Sequence, residues 1–314
     1  MGEYSKSAII KFTRKSLGMT QEVLAENICE PVTLARYESG YLDPTDDKFN
    51  QLMQKMGKTG ERFIYPIQSS KIEIEEQLKK ILYALERKEF LEVKKLITQI
   101  KHKHDISHFY PENKQYLKRI ELILVYENKE ISISEFIKGL EDALILTFRE
   151  YNKNGFPIQR VFIESEILLL NNIAAMYGKN EEIDIAINIY QNIEEYFENA
   201  EMVNDYKPRY LVLINYANLL GLDKRYYDSI KICEKGITWL IDNNKSNCLY
   251  NFYYNIGWNL LKIGNAVQNK EKVQKARCYV WMAYQLCSLY PESSENLEYI
   301  DRFYRDNFRS ILEI

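Results

Sequence analysis

A chain of 314 residues with a formal net charge of −3, 46% hydrophobic and 28% charged residues, is long enough for about two domains and has the apolar content of a folded core. The near-neutral charge excludes a wholesale nucleic-acid coat and leaves local DNA contact open, and no stretch approaches the ~20 apolar residues of a membrane-spanning helix. Only 12 Gly and 7 Pro occur, too few for the turns of a sandwich or barrel, so the composition points to long helices with short connections, an all-α fold. No signal-peptide apolar core opens the sequence. The five cysteines (Cys29, Cys233, Cys248, Cys278 and Cys287) are odd in number, scattered and without a C-x-x-C pair. Both features predict a cytoplasmic protein with reduced thiols and no membrane partner.

In chain order, residues 7–17 predict a first helix that ends at Gly18. Thr20 is the expected N-cap of a second helix, with Gln21 and Glu22 in its first turn and Val23, Leu24 and Ile28 on one face. Pro31 suits the first position of a third helix, because its missing N–H has no partner there. Leu34 and Tyr37 point back toward the core, and Gly40 supplies a left-handed stop. A fourth helix from about Asp46 carries Phe49, Leu52, Met53 and Met56 as its apolar stripe. Helices this short make a small core. Two of them joined by a tight turn let the second lie in the major groove while the first crosses the backbone. Residues 1–66 hold nine Lys/Arg and nine Asp/Glu, but the first 19 carry Lys6, Lys11, Arg14 and Lys15 against Glu3 alone.

The pattern MTQEVLAEN…TLARYESG…P resembles the helix-turn-helix of the Cro/repressor-type (XRE) family. ENIC-EPVTLARYESG is more closely similar to the corresponding segment of the PlcR/Rgg (RRNPP) peptide-pheromone-responsive regulators. The match covers roughly residues 7–57. The resemblance implies DNA binding and assigns roles by position. Gln21 matches a phosphate-anchoring Gln. Glu30, Val32, Thr33 and Arg36 fall at or near the groove-facing side of the recognition helix. Arg14 and Glu38 match a structural Arg–Glu pair that ties the first helix to the third. Some positions depart from the family pattern: Thr13 stands where an apolar residue is usual, and Pro31 removes a backbone donor. Glu30 either repels phosphate or accepts from a cytosine N4. The neutral charge balance leaves a second reading, in which this unit serves only structure or dimerisation.

Residues 58–71 break the helical pattern. Pro66 and Ser69-Ser70 predict a hinge, with Phe63, Ile64 and Tyr65 available to dock against a neighbour. Helix pairs are then expected at 71–86 with 88–103, 113–127 with 134–149, 158–178 with 182–199, 206–221 with 224–242, and 247–263 with 271–289, followed by a polar capping helix at 294–312. Three segments align: LLNNIAAMYG, VLINYANLLG and NFYYNIGWNLLK. Their shared Asn172, Asn215 and Asn255 are 43 and 40 residues apart. Each is followed two positions on by a small residue (Ala174, Ala217, Gly257) and three further by a large one (Tyr177, Leu220, Leu260). The second helices repeat the idea with Ala186/Tyr190, Ser229/Cys233 and Ala276/Val280. Small residues where helices cross and large ones a turn away are what close antiparallel packing needs. The pattern resembles a degenerate, lengthened tetratricopeptide repeat. Stacked pairs of this kind form a superhelix with a concave inner face.

On that register the first helices present Asn171, Asn172, Asn215, Asn218, Asn251, Tyr254, Asn255, Trp258 and Asn259 to the groove. An Asn amide offers both donors and an acceptor, so it can grip the C=O and N–H of an extended peptide without reading its side chains. Tyr254 and Trp258 would bury apolar ligand side chains. The family resemblance implies the same ligand, a short secreted signalling peptide that is re-imported.

All three histidines lie in HKHDISH, and His104 and His108 have helical i, i+4 spacing. The segment sits at a predicted helix end with Asp105 as the one nearby carboxylate, so a solvated turn is expected rather than a metal site. No phosphate-loop, nucleophile-elbow or H-E-x-x-H pattern appears, and neither catalysis nor a cofactor is expected. The sequence therefore reads as two domains, a helix-turn-helix domain at 1–66 and a peptide-binding, dimerising repeat domain at 67–314. The expected partners are double-stranded operator DNA, a short signalling peptide and a second copy of the chain. The alternative is a repeat scaffold for a protein partner, with a minor or vestigial DNA role.

Overall fold

A computed structural model describes residues 5–57, 72–87, 89–106, 109, 111–158, 160–199, 208–246, 248–290 and 294–308. Among these the chain is helical and contains no strand. The predicted hinge at 58–71, His108 and the end of the last predicted helix lie outside the described residues. The chain divides into two compact units, Met1–Tyr206 and Lys207–Ile314.

The first unit opens with four short helices: α1 (Lys6–Ser16), α2 (Gln21–Ala25), α3 (Pro31–Glu38) and α4 (Asp46–Lys55). Each boundary has a local cause. Ser5, Thr20 and Thr45 cap α1, α2 and α4 by accepting from backbone N–H groups in the first turn. Pro31 starts α3, and Gly18, Gly40 and Gly57 take the left-handed conformation just past α1, α3 and α4. Helices α1 and α2 each pack on α3 and α4, burying Ile9, Ile10, Leu24, Leu34, Phe49, Leu52 and Met53 completely or nearly so. Val23 departs from its expected place and is exposed. The reason is that α2 ends at Ala25 and Asn27 turns left-handed, so the apolar face continues through Ala25 and the half-buried Ile28 instead.

Three helix pairs follow in the same unit: α5 (Ile72–Glu86) with α6 (Phe90–Lys103), α7 (Pro111–Glu127) with α8 (Ile133–Leu144), and α9 (Glu164–Lys179) with α10 (Ile183–Asn199). The second unit holds α11 (Pro208–Leu222) with α12 (Tyr226–Asp242), α13 (Leu249–Ala266) with α14 (Lys270–Ser288), and α15 (Ser294–Phe308), which packs on α14. Within each unit consecutive first helices also touch, α7 with α9 and α11 with α13. Each unit therefore has a face lined by first helices.

The crossing pattern agrees with the expected register. Ala174, Ala217, Ala186, Tyr190, Ser229, Cys233, Ala276 and Val280 are all inaccessible to solvent. Ser229 Oγ donates to the Ala217 carbonyl at 2.7 Å. A Cβ on Gly257 would stand 2.6 Å from Val280 Cγ2 and 3.0 Å from the Ala276 carbonyl oxygen. The hairpin turns share a signature that composition hid. Lys129, Glu181, Lys224 and Gln268 are left-handed just past α7, α9, α11 and α13. In each case the next N–H reaches back five residues, Glu130 to Val125, Glu182 to Tyr177, Arg225 to Leu220 and Asn269 to Gly264. Such a turn normally selects Gly or Asn; here charged and amide residues fill it, which is how so many hairpins coexist with 12 Gly.

Two expected boundaries move. Helix α8 stops at Leu144 rather than 149, and α9 begins at Glu164 rather than 158. The connection between them is not helical but is buried: Phe148, Phe156, Val161, Phe162 and Ile163 are all enclosed. Phe148 sits 5.7 Å from Phe156 and 5.3 Å from Phe162, edge to face. The Phe162 N–H donates to the Tyr196 hydroxyl, and Glu166 accepts from the Ile163 N–H at 3.0 Å.

Candidate DNA and peptide sites

One buried carboxylate organises the helix-turn-helix. Glu38, near the end of α3, accepts from Arg14 Nε at 2.6 Å and Nη2 at 2.8 Å, and from Gln21 Nε2 at 2.7 Å. Arg14 Nη1 donates to the Met19 carbonyl at 2.7 Å. The side chains of Arg14 and Glu38 are 11% and 5% exposed. This hydrogen bonding raises the Arg14 pKa against the opposing effect of burial. The network joins α1, α2 and α3 through one group. It also turns Gln21 Nε2 inward to Glu38, whereas the sequence assigned Gln21 to a phosphate.

The opposite side of α3 is open. Glu30 is the exposed N-cap with no side-chain capping bond, Val32 is 65% exposed, Thr33 is half-buried and Arg36 is exposed. The Arg36 guanidinium lies 6.0 Å from the centre of the Tyr41 ring, and Tyr41 is 81% exposed, an aromatic neighbour that the sequence reading missed. A helix N-terminus bearing an acid, a β-branched apolar side chain, a hydroxyl and a guanidinium can read base edges and thymine methyls. From α4, Lys48 donates to the Ile28 carbonyl at 2.7 Å and Lys55 to the Glu26 carbonyl at 2.6 Å. These two lysines fix the turn between α2 and α3.

The nine groove residues expected from the sequence separate into groups. Asn171 does not face the groove: it is buried, and both its carbonyl and its Oδ1 lie within 3.5 Å of the Tyr190 hydroxyl on α10. Asn259 is likewise enclosed, donating to Ser229 Oγ at 2.9 Å and to the Asn255 carbonyl at 2.7 Å. The cause is a helical register in which 171 and 259 fall on inter-helix faces, where the Asn259 Nδ2 is satisfied internally while its Oδ1 has no partner among the described residues. Asn255 is also buried, at 8% exposure. Tyr254 is half-buried against α15, 5.6 Å from the Tyr299 ring and 5.3 Å from the Phe303 ring. Trp258 meets the Tyr226 ring at 6.0 Å, and Lys262 lies 5.1 Å over its face. Asn172, Asn215 and Asn251 are half-buried, and Asn218 is exposed.

Asn172 has a partner that no sequence pattern marked. Its Oδ1 accepts from Arg119 Nε at 3.3 Å and Nη2 at 3.1 Å, so the contact joins α7 to α9. Arg119 is buried, and burial lowers its pKa. A lone Arg in an amphipathic helix carries no periodic signal, so only the structure reveals the contact. His104 ends α6 in an extended conformation, and among the described residues no group of three or more His, Cys, Asp or Glu is placed to hold a metal. No helix among them is long and apolar enough to cross a membrane.

Residues 78–286 match the RNPP family C-terminal domain, and residues 10–63 match a helix-turn-helix domain. Bacillus thuringiensis PlcR, solved in complex with the peptide PapR7 and DNA, is 21% identical, with 94% of this chain and 98% of that chain covered and a TM-score of 0.56. The apo form of the same protein is 19% identical over 95% and 99% of the two chains, with a TM-score of 0.57. The apo competence regulator ComR from Streptococcus vestibularis is 16% identical over 96% and 99%, with a TM-score of 0.50. At these identities the likeness is one of fold. Among curated proteins none matches.

Proposed function

The chain belongs to the RNPP family, and on that premise we propose that it is a regulator whose grip on operator DNA is set by a short signalling peptide. The coarser part is secure: a helix-turn-helix joined to an RNPP C-terminal domain is a DNA-binding transcriptional regulator, not an enzyme. The finer reading assigns residues 1–66 to DNA and residues 67–314 to peptide binding and dimerisation. A homodimer suits it, since one helix-turn-helix contacts a half-site and two-fold symmetry matches two half-sites about 34 Å apart.

The observation that carries the reading is the open edge of α3. Glu30, Val32 and Arg36 are exposed while Leu34, Tyr37 and Glu38 of the same helix are buried, so the helix is held from one side and offered on the other. PlcR, similar in fold along its whole length, was solved with both a peptide and DNA, and a peptide ligand for this chain is proposed on that likeness. In the first unit the half-buried Asn172, and in the second the half-buried Asn215 and Asn251, are each candidate amides for a peptide backbone.

The test is a mobility shift with duplexes that the full chain selects from a randomised pool. Thr33→Ala combined with Arg36→Ala should abolish selective binding, since each lost base contact is worth about 1–3 kcal/mol. Circular dichroism should remain unchanged. An unaltered shift would overturn the assignment of α3 to the groove.

A further inference from the structure

Three arginines packed among the described residues differ in what faces their charge. Arg14 forks onto Glu38. Arg160 has Nη2 2.9 Å from Glu166 Oε1, and its guanidinium carbon lies 4.1 and 4.9 Å from the centres of the Phe148 and Phe162 rings. Arg119 is 8% exposed, and among the described residues its hydrogen bonds go to one neutral acceptor, Asn172 Oδ1. No carboxylate among them forms an ion pair with it. Glu164 acts on it only through space.

A guanidinium stays charged even when burial draws its pKa down. Enclosing a charge without a counter-charge is costly, and one neutral amide does not offset that cost. Its position is also informative. Arg119 lies on α7 and Asn172 on α9, first helices of consecutive pairs that touch each other. Asn172 also holds the repeat position shared with Asn215 and Asn255. The pair therefore joins two first helices of the face assigned above to the peptide, with Arg119 buried and Asn172 half-buried.

We propose that Arg119 and Asn172 form the subsite for a carboxylate of the bound peptide. This deepens the peptide reading and rests on it. The guanidinium fork suits a planar carboxylate held by two N–H groups. The Asn172 amide orients the fork before the ligand arrives and adds its own N–H donors. The ligand supplies the negative charge that the described residues do not pair with Arg119.

The experiment uses the full chain and four pools of random hexapeptides. The pools end in a free carboxylate or an amide, and they include or omit Asp and Glu. Captured peptides are quantified by mass spectrometry. The amidated pool without acids should be captured about tenfold less than any pool bearing a carboxylate, the scale of a hydrogen-bonded ionic contact. If only the terminal form matters, the carboxylate is the peptide's C-terminus; if acidic side chains rescue the amidated pool, it is a side chain. Both outcomes support the subsite.

Equal capture of all four pools overturns the subsite and leaves the peptide reading standing. No capture from any pool overturns the peptide reading itself. Arg119→Met should erase the discrimination and leave the thermal midpoint equal or higher, because it removes a buried unpaired charge. Retained discrimination in a folded Arg119→Met variant would show that Arg119 is not the anchor. Arg119→Lys keeps the charge and should retain part of the discrimination, so the assignment stays testable if the Met variant folds poorly.

Discussion

Glu38 is only 4% exposed and carries its charge there because two side chains from two other helices donate to it. Removing one partner is costlier than removing both, because the survivor is left buried with an unmet charge. Arg14→Met leaves the carboxylate with Gln21 alone and should cost about 3–5 kcal/mol in the helix-turn-helix. For so small a core that is enough to lose it. Hydrogen exchange should show protection vanish from α1, α2 and α3 while α9 to α14 keep theirs. Adding Glu38→Leu to Arg14→Met should restore much of the protection. If the double variant is no better protected than the single one, the network is not what holds these helices. At this scale the sequence was partly legible. The Arg14 and Glu38 positions followed from a family resemblance, because a motif fixes their spacing. The bond from Gln21 to Glu38 and the contact of Arg119 went unseen, because which group a long polar side chain meets is decided by tertiary neighbours and not by local period.

Helix order was legible almost throughout, since a 3.6-residue apolar period and capping residues act locally. The connection 145–163 was misread as helix at both ends. Its aromatics are spaced as they would be on a helix face, yet they pack as an enclosed cluster around Arg160. Crossing points were better predicted, because a small residue is a direct demand of close approach. Gly257 and Gly139 test that demand. At Gly257 an added methyl meets Val280 Cγ2 at 2.6 Å and backbone atoms of Ala276 and Val280 at 3.0 Å, and backbone of a packed helix cannot step aside. At Gly139 the three nearest atoms all belong to the Leu122 side chain, the nearest being Cδ2 at 2.6 Å, which a rotamer change can move. Gly257→Ala should therefore destabilise by about 1–3 kcal/mol despite the better helix propensity of Ala. Gly139→Ala should fall within about 1 kcal/mol of the parent. Urea midpoints measure both; the reverse order would mean that α13 and α14 cross more loosely than their contact implies.

For the whole molecule, a peptide can alter operator binding only by the difference between its affinities for the DNA-bound and DNA-free states. That limit gives a prediction independent of any structural route between the two ligands. If the best-captured peptide changes operator affinity by some factor, operator duplex must change peptide affinity by the same factor and in the same direction, with typical couplings of about 5–150-fold. Both titrations have to be run at one ionic strength, since salt shifts the DNA arm alone. They also have to be run at one protein concentration, because a dimerising chain adds a third linked equilibrium. Calorimetry of peptide into free protein and into the operator complex gives one factor, and anisotropy of labelled operator with and without saturating peptide gives the other. Equal factors well above unity would establish peptide and operator as ligands coupled through one protein. A factor of one in both arms would leave a DNA-binding regulator whose repeats answer to something other than the peptide, the case in which the scaffold reading regains its ground.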